Sequence, residues 1–213
     1  MNLSGKKINF LGDSITEGVG TSAENKIFLN IIKERCGLAA ARNFGIAGTR
    51  IADYIGEDPG NWGESFAARF GKMDDDADAV VVFGGTNDFG HGNAPFGTFG
   101  DSEPNTFYGA LSTLMCGLIE KYPNAQLVFM TPLHRREELK QNPNSKRVFR
   151  DYVYAIREMA EYYSIPVLDL YAVSGIQPCI ESLKARLCPD GLHPSDLGHE
   201  KIANCLESFL KRI

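Results

Sequence analysis

Apolar residues along the chain fall into short runs of about five, separated by longer stretches in which they recur every three or four positions. The short runs predict strands at Lys7–Leu11, Ala39–Asn43, Ala79–Phe83, Gln126–Met130 and Pro166–Leu170. The third, Ala-Val-Val-Val-Phe, has no polar alternation, as expected of a central strand covered on both faces. The helical spacing predicts helices at Ile27–Cys36, Thr106–Tyr122, Val148–Tyr163 and Asp196–Lys211, the last with Ile202, Leu206, Phe209 and Leu210 on one buried face. Gly37 and Pro123 stand just past two of these helices, and Ser195 is placed to cap the last. Strands and helices alternating in this way predict repeated βα units around a parallel sheet.

A chain of 213 residues with 43% hydrophobic content fits one α/β domain, residues 1–213, around an ordinary packed core. The net charge of -5, with both signs mixed throughout, lacks the basic footprint that nucleic acid or an anionic membrane surface requires, so partners are expected to be small or neutral. The apolar stretch behind Lys7 ends within a few residues at Gly12, too soon for a signal peptide or a membrane span. Five cysteines, Cys36, Cys116, Cys179, Cys188 and Cys205, are odd in number and lack Cys-x-x-Cys spacing. They read as reduced core thiols of a cytoplasmic protein rather than as metal ligands or disulfides.

In a parallel sheet, ligands bind beyond the carboxyl ends of the strands, so the residues following each strand carry the functional expectations. Gly12-Asp13-Ser14 follows the first strand, Gly45-Ile46-Ala47-Gly48-Thr49 the second, and Gly84-Gly85-Thr86-Asn87-Asp88 the third. Glycine permits positive φ and leaves N–H groups open to close approach, so a hydroxyl, backbone amides and a side-chain amide meet on one edge. A fourth piece, Cys188-Pro189-Asp190-Gly191-Leu192-His193-Pro194, puts a carboxylate three residues before an imidazole. Taken alone, Ser14 is either a turn or cap residue or a nucleophile, and His193 either a packed loop histidine or a base. Acyl transfer needs all of these parts: a base for the weakly nucleophilic hydroxyl, a carboxylate to fix the imidazole tautomer, and donors for the negative charge that develops on the carbonyl oxygen.

The stretches FLGDSITEG, NFGIAGTR, VVVFGGTNDF and CPDGLHPSDLGHEKIA resemble, in order, the four sequence blocks of the SGNH hydrolases, also called GDSL esterases and lipases. The resemblance runs from residue 8 to about residue 203 and departs from the motif's name at Ile15, where that name has leucine. It implies a three-layer α/β/α sandwich with a flavodoxin-like central parallel sheet of about five strands, and no metal or organic cofactor. It also implies Ser14 as nucleophile, His193 as base oriented by Asp190, and Gly48 and Asn87 as oxyanion donors with the Ser14 amide. The expected function is a serine esterase acting on a small soluble ester, such as an acetylated carbohydrate or another short-chain ester. A nucleotide- or phosphate-binding module and a non-catalytic carbohydrate-binding protein are the competing readings. The first is disfavoured because Gly18-Val19-Gly20-Thr21-Ser22-Ala23 starts too far from Leu11 and no Gly-Lys-Ser/Thr follows the first strand.

Other residues receive plainer readings. Asp13 and Asp88 are expected to bond turn amides, Asp74-Asp75-Asp76 to form a solvated turn, and Asp58-Pro59-Gly60-Asn61 to turn the chain. Trp62 is either core packing or a pocket wall. His199 is expected to be solvated on the last helix, while His91 and His134 are secondary candidates for substrate contact. Phe89 to Asn105, with four glycines and two prolines, and Leu133 to Lys146 are the segments expected to shape substrate choice.

Overall fold

The computed structural model describes residues 1–213 except Pro59 and Asn61. The turn expected at Asp58-Pro59-Gly60-Asn61 includes both and lies outside the described residues. Among the described residues, β1 (Lys7–Gly12), β2 (Ala40–Gly45), β3 (Ala79–Phe83), β4 (Gln126–Met130) and β5 (Val167–Leu168) form one parallel sheet in the order β2-β1-β3-β4-β5. Four short helices, α1 (Ser14–Glu17), α3 (Phe66–Arg69), α4 (Thr86–Gly90) and α7 (Leu170–Val173), lie near strand ends or in crossovers. Longer helices complete the connections: α2 (Phe28–Cys36), α5 (Phe107–Lys121), α6 (Phe149–Tyr162), α8 (Glu181–Leu187) and α9 (Asp196–Leu210).

The strands alternate between two cores, because successive side chains point to opposite faces of a sheet. Ile8, Phe10, Val81, Phe83 and Val128 meet α2 and α9 on one face, and Leu11, Val80, Val82 and Phe129 meet α3, α5 and α6 on the other. This is the three-layer α/β/α arrangement expected of the sequence. Asn9 is the polar exception on the second face, and its Nδ2 donates to the Asp74 carbonyl (2.8 Å) and to the Tyr122 hydroxyl (3.2 Å). The chain runs from β1 outward to β2 and then returns past β1 to β3. The carboxyl ends of β1 and β3 therefore flank a topological switch point, where a ligand crevice opens in such sheets.

Element ends differ from expectation by a few residues, each for a local reason. Ile27 is extended (ψ 134°), so α2 starts at Phe28, and Gly37 ends it with φ +64°. β5 holds only Val167 and Leu168, because Pro166 has no N–H to donate and Asp169 turns to cap α7 by accepting from the Ala172 amide. Asp74, Asp75 and Asp76 form the expected exposed turn, paired with Lys7, Arg42 and Lys121.

Two expectations are corrected. His199 is fully buried: its ring stacks on Phe28 (centroids 5.9 Å apart) and its Nδ1 accepts the Phe28 N–H at 3.2 Å. It shares a stripe of α9 with Ile202, Ala203, Leu206 and Leu210, the buried face. The cysteines are all free, but only Cys188 is buried, and Cys116 and Cys179 are exposed. Cys116 sits on the outer side of α5, and Cys179 in the loop before α8.

Candidate active site

β1 delivers the chain to the switch point and stops at Gly12. Asp13, in extended conformation, caps α1 by accepting the Ile15 N–H at 3.0 Å. Ser14 is thereby the first residue of α1, where backbone N–H groups have no carbonyl partner inside the helix. Gly18, with φ +112°, ends the helix after one turn. The chain then folds back to Ser22, whose backbone N–H and hydroxyl donate to Asp196 (2.8 and 2.6 Å), tying this loop to the start of α9.

The segment before α9 brings the imidazole. Ser195 caps α9, and its hydroxyl and amide donate to the carbonyls of Arg186 and Leu187 at the end of α8 (2.6 and 2.9 Å). Asp190 closes the intervening turn: its Oδ1 accepts the Leu192 and His193 amides at 2.8 and 2.7 Å, and its Oδ2 faces His193 Nδ1 at 2.6 Å. His193 Nε2 stands 3.0 Å from Ser14 Oγ. Residues 179 positions apart in the chain are thus in hydrogen-bond contact. With the Nδ1 proton held by a carboxylate, Nε2 presents a lone pair to the hydroxyl and can take its proton.

The second and third blocks are tied to the first by polar contacts. The Ile46 amide donates to the Gly12 carbonyl (3.1 Å) and the Ala47 amide to Glu17 Oε2 (2.5 Å). Gly48 turns the chain with φ +75°. Asn87, on α4, donates one N–H to the Thr49 carbonyl at 3.0 Å, which leaves its second N–H unused by that bond. Asp88 accepts the Ile51 and Ala52 amides (3.0 and 2.9 Å), as Asp13 accepts Ile15; both perform the turn-bonding expected of them. Ser14 and His193 are therefore in contact, while Asn87, beyond the end of the neighbouring strand β3, tethers the turn that carries Gly48.

Sequence reasoning missed two arginines that hold these loops, Arg69, which is buried, and Arg135, which is half-buried. Arg69 donates to the carbonyls of Gly12 and Phe44 (both 2.7 Å), and Arg135 to the carbonyl and hydroxyl of Thr86 (2.7 and 3.0 Å). Neither lies in a recognisable spacing, since each finds its partners only through packing. The secondary candidates lie outside the Ser14–His193 contact. His134 pairs with Glu138 (2.9 Å), and its ring packs at a tilt of 33° against Tyr171 (centroids 3.8 Å apart). His91 faces Arg50 (3.4 Å) and Trp62 (5.4 Å), and Trp62, 41% exposed, is not part of the core.

Burial sets the electrostatics. It pushes the Asp13 carboxyl up to about 7, against the bond from Ile15, with the nearby Asp88 adding to the rise. Asp88 is likewise raised to about 6, despite the amides of Ala52 and Ile51. Burial also pushes Asp190 upward, but the bonds from the His193 amide and ring and from the Leu192 amide hold it below the ordinary carboxylate value, so it stays ionised. Arg69 is drawn down to about 10 by burial and remains a cation. Among the described residues, no group of three or more His, Cys, Asp or Glu side chains is gathered as a metal site, and no helix is long and apolar enough to cross a membrane.

The sequence profile of the GDSL-like lipase/acylhydrolase family matches residues 10–201. A crystal structure 34% identical in sequence superimposes with a TM-score of 0.88, covering 100% of this chain and 99% of its own. A protein from Lactobacillus plantarum is 32% identical, with a TM-score of 0.85 and coverage of 98% of both chains. An acetyl xylan esterase, 20% identical, shares the fold with a TM-score of 0.62 over 95% of this chain and 98% of that one. No curated protein matches the chain.

Proposed function

The chain belongs to the GDSL-like lipase/acylhydrolase family, and from that premise we propose that it is a serine esterase cleaving a carboxylic ester of a small, soluble substrate through an acyl-enzyme. The observation that carries this reading is the hydrogen-bonded line from Ser14 Oγ through His193 to Asp190, with separations of 3.0 and 2.6 Å. His193 Nε2 takes the hydroxyl proton as Oγ adds to the ester carbonyl. The carbonyl oxygen, now an oxyanion, accepts from the Ser14 and Gly48 amides and the free N–H of Asn87. As the tetrahedral intermediate collapses, the bond from carbon to the alcohol oxygen breaks, and His193 gives its proton to that oxygen. Water then adds to the acyl-enzyme by the same steps in reverse roles, releasing the carboxylic acid and restoring the serine. Asp190, held ionised, keeps the proton on Nδ1 and stabilises the imidazolium that forms.

The fold shared with an acetyl xylan esterase supports a short acyl group, with an acetylated carbohydrate among the fitting substrates. The five free thiols, two of them exposed, support a reducing compartment, the cytoplasm. Two measurements test the proposal. A fluorophosphonate should label Ser14 in the wild-type protein and leave Ser14→Ala unmodified. Turnover of p-nitrophenyl acetate should vanish in both Ser14→Ala and His193→Ala, and equal background rates in all three proteins would overturn the reading.

A further inference from the structure

The two cores of the sandwich approach Ser14 from opposite sides. Leu187, Cys188 and Ile202, which flank the His193 loop, belong to the core of α2 and α9. Ile51, Phe66 and Phe89, which flank Trp62 and His91, belong to the core of α3, α5 and α6. His193 therefore reaches Ser14 from one face of the sheet, and Trp62 and His91 stand beyond Gly48 and Asn87 on the other. In a tetrahedral intermediate on Ser14, the leaving oxygen must lie toward His193, which protonates it. The acyl chain is left with the opposite side.

Two rings stand on that side. Trp62, the only tryptophan of the chain, lies flat enough against Gly48 that a β-carbon there would collide with the indole. His91 packs against the indole with centroids 5.4 Å apart and planes tilted by 37°. It follows Asn87 by one helical turn, and its amide donates to the Asn87 carbonyl at 3.0 Å, so it stands beside the proposed oxyanion donor. Arg50 fixes its state. The guanidinium is nearly fully buried, is anchored by Asp58 at 2.6 Å, and points an N–H at His91 Nδ1 at 3.4 Å. A cation donating there makes Nδ1 an acceptor and leaves the proton on Nε2. Burial first, and the Arg50 charge next, hold the His91 pKa below its ordinary value, which keeps the ring neutral against the indole.

We infer that Trp62 and His91 form the far wall of the acyl site and restrict the enzyme to short acyl groups, an inference that rests on the serine-esterase reading above. Neither ring takes part in proton transfer. Their role is to exclude longer chains from the side of the carbon that faces away from His193.

The test compares kcat/KM for p-nitrophenyl acetate and p-nitrophenyl hexanoate in the wild-type protein and in Trp62→Ala, Trp62→Phe, His91→Ala and Ser14→Ala. The wild type should favour the acetate at least tenfold. Trp62→Ala should raise the hexanoate-to-acetate ratio tenfold or more, His91→Ala should raise it severalfold, and Trp62→Phe should stay near the wild type. Because the readout is a ratio, a uniform loss from loosening of the Gly48 turn leaves it unchanged. If Trp62→Ala proves inactive on both esters, the His91→Ala ratio decides. A ratio unmoved in the active variants, or a wild type equally fast on both esters, overturns the wall. Turnover surviving in Ser14→Ala would instead overturn the serine-esterase reading itself.

Discussion

Replacing Asp190 by Asn tests the proposed chemistry at its most constrained point. In the folded turn, Oδ1 accepts two backbone N–H groups at 2.8 and 2.7 Å while Oδ2 faces His193 Nδ1 at 2.6 Å. Asparagine offers one acceptor oxygen and one NH2 group. Keeping both backbone bonds puts the NH2 opposite Nδ1, so Nδ1 must present a lone pair and the ring proton moves to Nε2. That proton then faces Ser14 Oγ, and the imidazole can no longer accept from the hydroxyl. The opposite flip sets the NH2 against two donors, a mismatch of about 1–3 kcal/mol for each group left unmet in a buried site and less where water reaches. Loss of the negative charge adds to this. A carboxylate about 4 Å from the imidazolium centre contributes about 1 kcal/mol in water and about 4 kcal/mol at an effective dielectric of 20. The Asp190 side chain is 53% exposed, so the lower part of that range applies. Together the two effects should lower kcat/KM by about 10²- to 10³-fold, less than the roughly 10⁴-fold loss at a buried triad aspartate. The assay is p-nitrophenyl acetate hydrolysis, with a melting curve as control. Because the backbone bonds survive, the melting temperature should change little. Asp190→Ala, which leaves the tautomer free, should retain at least as much activity as Asp190→Asn. An Asn variant within threefold of the wild type would refute the assignment.

Asn87→Ala should lower kcat by about 10²- to 10³-fold, with the larger share in kcat rather than KM, because it removes a donor whose bond strengthens as the oxyanion forms. Stability should depend on pH through two buried groups of opposite sign. His199 titrates near 4, below its ordinary value near 6.5, chiefly because of burial, so its contribution is complete above about pH 6.5 and is lost as pH falls toward 4. His199→Gln, whose oxygen can accept the Phe28 amide, should flatten that acid limb by up to about 3 kcal/mol in urea titrations. Asp13, raised to about 7, acts in the reverse direction: between its ordinary value near 4 and 7 the folded state holds the extra proton, so its effect on stability declines as pH rises through that window. The stability of Asp13→Asn relative to the wild type should therefore increase from pH 5 to pH 8, by at most about 3 kcal/mol, and a flat difference would show that Asp13 is ionised in the folded protein throughout.

The parts of this molecule that depend on neighbours in sequence were legible without coordinates. Apolar runs marked the strands because each residue in a strand meets one of two cores according to parity, and Ala79–Phe83 faces both without a polar residue. The Asp190 turn was legible because its carboxylate bonds residues only two and three positions ahead. His199 was readable too, since it shares its spacing with Ile202 and Leu206, yet the polarity of its side chain argued for solvent. Tertiary structure alone decided that Phe28, 171 positions away, would supply its hydrogen-bond partner. The same holds for Arg69 reaching the Gly12 carbonyl, Arg135 reaching Thr86, and Trp62 lying on Gly48 beside His91. Local patterns fix elements and turns because backbone geometry and burial parity act over a few residues. Which distant side chain fills a given space depends on how whole layers pack, and no spacing along one chain encodes that.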